Sequence, residues 1–69
     1  MESLGEALPK EQERVRKLIL LYNDPELNGA GIFAARMMEQ SLREADRAVM
    51  SGDVVKMLQC YEDLKGYTE

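Results

Sequence analysis

Residues Ile32–Met50, IFAARMMEQSLREADRAVM, lie in the longest run of the chain without glycine or proline, and their periodicity decides the fold. Ala35, Met38, Leu42, Ala45 and Val49 recur at spacings of three and four, which places them on one stripe of a helix. Arg36, Arg43 and Arg47 share a second stripe, within about 40° of one another and nearly opposite the apolar one. The stretch therefore reads as a two-faced helix whose hidden face is narrow and built of small or flexible residues. Phe33 and Met37 form an apolar pair at i, i+4 between the two stripes, and either border the core or anchor a partner. Glu39, Glu44 and Asp46 flank the arginines and are placed to form helical ion pairs, worth a few tenths of a kcal/mol each.

Upstream, Leu8-Pro9 is expected to open a first helix, since proline suits the first helical position, and Glu11 and Glu13 suit its positive end. Leu8, Val15, Leu18, Ile19 and Tyr22 form its apolar face, and Lys10, Arg14 and Lys17 read as a solvated basic line. Leu18 to Tyr22 are five consecutive apolar or aromatic residues and point in every direction around the helix. Leu18, Leu20, Leu21 and Tyr22 are therefore expected to form a homodimer interface, in which a second chain covers what a small bundle leaves open. Asn23-Asp24-Pro25 ends the helix, because the residue before proline is pushed out of the helical region. Asn28-Gly29-Ala30-Gly31 has the glycines of a phosphate-cradling loop but neither the lysine nor the preceding strand, so Asn28 reads as a helix cap beside a glycine turn.

Downstream, Ser51-Gly52-Asp53 breaks the central helix and caps the next. Val54, Met57, Leu58, Tyr61 and Leu64 give a third helix with its own apolar stripe, bordered by Cys60 as a small buried residue. The expected fold is all-α: a short three-helix module, two longer helices in an antiparallel hairpin plus a shorter third helix, paired as a homodimer. Residues 1–7 read as a disordered leader, 8–65 as one helical domain and 66–69 as a frayed tail.

A chain of 69 residues supports one small core, which rarely supplies more than about 3–5 kcal/mol. With one cysteine and no histidine, neither an internal disulfide nor a structural zinc site is expected, and association with another chain remains as the means of stabilisation. Thirteen acidic against nine basic residues, a net charge of −4, oppose general affinity for nucleic-acid phosphates. No apolar run is long enough to span a membrane, and the amino terminus is acidic rather than a basic stretch leading into an apolar one. No pattern marks the carboxylates as a catalytic pair, so the expectation is a protein that is not an enzyme, with no catalytic residue, no metal and no cofactor.

Leu8-Pro9-Lys10-Glu11-Gln12-Glu13-Arg14, the Gly-Ala-Gly turn before Phe33-Ala34-Ala35, Met38-Glu39, Ser51-Gly52-Asp53-Val54-Val55 and Tyr61-Glu62-Asp63-Leu64-Lys65 together resemble a family of small phage and prophage proteins. The length and acidic helical make-up are also similar to those of the quorum-sensing anti-activators of Pseudomonas phages. These are small dimeric proteins that bind a host LuxR-type transcription regulator and block its DNA binding. The resemblance implies a phage-encoded inhibitor of a host protein, acting in the host bacterial cytoplasm, and assigns no binding residue. From the residues themselves, Phe33, Arg36, Met37, Arg43 and Arg47 are the expected partner-binding set: Phe33 and Met37 would anchor the partner while carboxylates mask its basic DNA-binding surface. The alternative is a nucleotide-messenger sponge, in which the arginines of paired chains clamp a phosphate-containing signal.

Overall fold

Helix α1 (Leu4–Tyr22) begins before Pro9 rather than at it. The Glu6 and Ala7 N–H groups donate to the Ser3 carbonyl, and Leu4 packs against the core beside the buried Ala7 and Leu8, so the apolar stripe extends one turn upstream. Pro9 is tolerated inside the helix because the carbonyl it deprives of a donor belongs to Gly5, which is exposed to solvent and has no side chain. The expected leader is thus helical from Leu4. The computed structural model describes residues 2–68, so the parts of the leader and tail readings that fall on Met1 and Glu69 lie outside the described residues.

Two more helices follow, α2 (Ile32–Ser51) and α3 (Val54–Lys65), and the described residues contain no strand. The turn after α1 is built as its residues dictate: the Asp24 carboxylate accepts from the Glu26 N–H at 2.9 Å and starts a short 3-10 turn over Pro25–Leu27. Asn28, at φ 51°, closes that turn in the left-handed region and does not cap α2 as expected. Gly31 stands at the N-cap instead, without a side-chain bond. A Cβ on Gly31 would lie 2.2 Å from the Tyr22 carbonyl oxygen, so only glycine lets the end of α1 and the start of α2 touch. At the other end, Gly52 adopts φ 71° and donates its N–H to the last carbonyls of α2, while the Asp53 side chain caps α3 by accepting from the Lys56 N–H at 3.2 Å.

All three helices pack on one another around Leu8, Val15, Met38, Leu42, Ala45 and Leu64. Gln12 of α1 donates to Asp46 near the end of α2, so with their near ends joined at Gly31 the two long helices run antiparallel. Two details of the expected core differ. Ala48 rather than Val49 ends the α2 stripe, leaving Val49 45% exposed. On α3 the buried line is Cys60 and Leu64, flanked by Met57 and Tyr61, while Val54 and Leu58 stay exposed. Ala45, Ala48 and Cys60 are small and buried in the shared core, so α3 meets α2 along the Cys60–Leu64 line and Val54 and Leu58 fall on its flank.

The tail is anchored, not frayed, through Thr68. Arg14 donates from Nη2 to the Leu64 carbonyl at 2.8 Å and from Nη1 to the Tyr67 carbonyl at 2.7 Å, supplying a cation to the negative end of α3. The Tyr67 hydroxyl meets Ser41 Oγ at 2.9 Å, and the Tyr22 hydroxyl donates to the Thr68 carbonyl at 2.8 Å. Arg14 therefore leaves the solvated basic line expected of it; Lys10 pairs with Glu2, and Lys17 is exposed. Gly31→Ala should cost about 1–3 kcal/mol in denaturant melting, because a methyl is forced into backbone that has nowhere to go. Gly52→Ala meets no atom and should cost only about 1 kcal/mol, for its left-handed φ. Equal melting of Gly31→Ala and wild type would show that the α1–α2 contact is not tight.

Candidate protein-docking site

On the face of α2 turned away from the core, Phe33, Arg36, Met37, Gln40, Arg43, Glu44 and Arg47 fall within about 60° of Gln40 on a helical wheel. All seven are exposed, Phe33 to 78% and Met37 to 49%. The structure thus brings the five expected partner-binding residues onto one ridge. Phe33 and Met37 are outside the core; they are among the large apolar side chains that folding leaves in water.

The expected ion pairs along α2 do not form. Asp46 turns to α1 instead, accepting from Gln12 Nε2 at 2.8 Å and lying 3.5 Å from Arg16 Nη2. Among the described residues, the ion pairs are Lys10–Glu2, Arg14–Glu11 and Arg16–Asp46, all with their cation on α1. Arg36, Arg43 and Arg47 therefore carry their charge into solvent, opposed on the ridge only by Glu44. Arg43 and Arg47 share a shallow concavity of about 190 Å³ with Gln40 and Glu44. Phe33 and Met37 sit among cations here, so one face does not combine the apolar anchor with masking carboxylates as expected.

The expected dimer face is only partly on the surface. Leu18 is 5% exposed, within the chain's own core, because it lies one turn beyond Val15 on the buried stripe; it has no need of a second chain. Tyr22 is half-buried and bonded to the tail. Leu20 and Leu21 remain exposed, at 73% and 50%, and the following loop does not fold over them.

Sequence reasoning missed a second apolar patch around the α2–α3 turn, where Met50 is 88% exposed and Val54 and Val55 66% and 67%. Its signal was present in Val54-Val55, two adjacent large apolar residues in the first turn of a helix that buries only one stripe. A wider, polar groove of about 610 Å³ runs between α2 and α3, lined by residues that include Glu44, Arg47, Lys56, Cys60 and Asp63. Burial, and then the carboxylates of Glu44 and Asp63, raise the Cys60 thiol above its ordinary pKa, with Lys56 opposing. The protonated thiol is the less nucleophilic form. Among the described residues no group of three or more histidine, cysteine, aspartate or glutamate side chains is placed to hold a metal ion, and no helix is long and apolar enough to cross a membrane.

The chain matches no protein-family model, no curated protein and no solved structure. The geometry of the ridge and the chemistry of its residues therefore carry the functional reading.

Two measurements check this site. Phe33→Ala with Met37→Ala should leave the melting transition close to wild type, whereas Leu42→Ala, 7% exposed in the core, should lose about 2–5 kcal/mol; coincident loss in both would place Phe33 and Met37 in the core. Iodoacetamide at mildly alkaline pH should modify Cys60 more slowly in the native chain than in urea, the raised pKa and burial acting together. Equal rates would mean the thiol is open.

Proposed function

We propose that the protein is a phage-encoded interaction protein that binds a host protein and inhibits it, the target being a LuxR-type quorum-sensing transcription regulator whose DNA binding is blocked. It acts as a homodimer in the host bacterial cytoplasm, without catalysis and without a cofactor. The single observation that supports this most is Phe33, a large aromatic side chain 78% exposed on a ridge with Met37 and three arginines that lack an ion-pair partner among the described residues. Aromatic, methionine and arginine side chains are enriched where proteins meet, and an aromatic anchored in a partner's pocket is the usual source of binding energy there. The regulator as target rests on the resemblance of the sequence to small phage proteins.

The second reading, a sponge for a phosphate-containing messenger, draws support from the concavity shared by Arg43 and Arg47. Glu44 lies in the same concavity and opposes an anion, which makes it the weaker reading. One experiment separates them. In capture of a purified LuxR-type regulator with its operator DNA as competitor, Phe33→Ala with Met37→Ala should weaken binding by about 2 kcal/mol or more, the scale of an interface hot spot. If the regulator is not captured at all while nucleotides are retained, and Arg36, Arg43 and Arg47 changed together to Gln lose them, the sponge reading replaces this one.

A further inference from the structure

The end of α1 carries a small apolar strip with opposite charges at its two ends. Leu20 and Leu21 are 73% and 50% exposed, and on a helical wheel Lys17, one turn before them, falls between the two. The chain still follows the helix after them: the Asn23 N–H donates to the Ile19 carbonyl at 3.0 Å and the Asp24 N–H to the Leu21 carbonyl at 3.2 Å. Asp24 therefore stands one turn beyond the leucines as Lys17 stands one turn before them, and its carboxylate is held by the bond from the Glu26 N–H. The strip points nearly opposite the buried Val15.

The tail lies on another side. Arg14 and Tyr22 hold it, and Leu20 is about 120° and 160° around α1 from them. Lys17, Asp24 and Glu26 are exposed, and none of the three has an ion-pair partner among the described residues. Of the other cations along this side, Lys10 pairs with Glu2 and Arg16 lies against Asp46.

The order of cation, leucines and anion decides the occupant. A partner surface of one sign would be drawn to one end of the strip and repelled at the other. A second copy laid parallel would bring Lys17 against the partner's Lys17. Laid antiparallel about a two-fold axis, it brings Leu20 to the partner's Leu21 and Lys17 to the partner's Asp24, with each contact repeated by symmetry. Lys17 and Asp24 are roughly 10 Å apart along the helix, so both ion pairs close over the same two turns that bury the leucines. A chain of 69 residues with one small core also gains from such association.

We infer that this strip is the interface between two copies of the chain, an antiparallel pairing of the ends of α1 in which Leu20 and Leu21 are buried and Lys17 pairs with the partner's Asp24. This deepens the homodimer proposed above and rests on that reading for the existence of a dimer, but not on the regulator as target.

Charge reversal in the full chain tests it, read by sedimentation at about 100 μM. Lys17→Glu sets carboxylates against each other at both symmetric contacts, and Asp24→Lys does the same with ammonium groups. Each should raise the dimer dissociation constant at least about tenfold. Mixed in equal amounts, the two variants should recover association, because each supplies the charge that the other lacks. Asp24→Lys also removes the cap of the 3-10 turn. If it fails to fold, Leu20→Glu at its exposed position carries the test: it should sediment as a monomer with its helical circular dichroism unchanged. A monomeric wild type, a dimer that survives Lys17→Glu or Leu20→Glu, or folded variants that do not associate when mixed would each overturn the inference. A dimer that survives both changes keeps the proposed homodimer and moves its interface; a monomer that still captures the regulator keeps the proposed inhibitor and ends its pairing.

Discussion

The contact of Gly31 with the Tyr22 carbonyl sets the geometry on which the rest of the molecule depends. With no side chain at Gly31, the last turn of α1 and the first turn of α2 touch backbone to backbone, and the two long helices leave this point antiparallel. Gln12 and Asp46 hold them together at the far end. Everything else is built onto that pair. The third helix is seated on small residues of α2 and tied back to α1 by Arg14, whose guanidinium serves both as a cap for the last carbonyls of α3 and as a cation at its negative end.

Helix positions were legible because their signals are local. Asp24-Pro25 and Gly52-Asp53 act within a few residues, and the period of α2 needs no partner to be seen. Where the reading failed, a distant residue decided. Pro9 looks like a helix start until Leu4 and Ala7 are seen to have a core to join. Residues 66–68 look like a loose end until Arg14, Ser41 and Tyr22 are found waiting for them, between 26 and 53 positions away in sequence. Val49, Val54 and Leu58 satisfy the helical period, yet period fixes only which residues share a face, and the seat of α3 on Ala45, Ala48 and Cys60 chose the neighbouring face.

The candidate site was legible in composition and not in its electrostatics. Spacing alone put Phe33, Arg36, Met37, Arg43 and Arg47 on neighbouring stripes, and the structure leaves all of them exposed. Sequence could not show that Asp46 would turn to Gln12 and Arg16, because on a bare helix it is also an i, i+3 neighbour of Arg43. With Glu39 and Glu44 also unpaired among the described residues, the ridge is left cationic. Conversely, Leu18 reads as surplus hydrophobic surface only while the depth of the bundle is unknown; with Leu8 and Val15 buried on the same stripe, Leu18 belongs to the core and the surplus shrinks to Leu20 and Leu21.

A net charge of −4 therefore gives a poor picture of what a partner meets. With a Debye length of about 8 Å at physiological ionic strength, a docking protein responds to the charges within the contact and hardly to the total. On the outward face of α2 three arginines outnumber one glutamate, whereas the groove toward α3, which shares Glu44 and Arg47 with that face, adds Asp53 and Asp63 against Lys56. The faces have opposite preferences, and the large exposed aromatic belongs to the cationic one. An anchor works by filling a pocket from which water is expelled, and removal of water strengthens whatever charge pairs lie at its edge. The side chains beside Phe33 and Met37 therefore weigh most in choosing a partner, and those side chains are guanidinium groups.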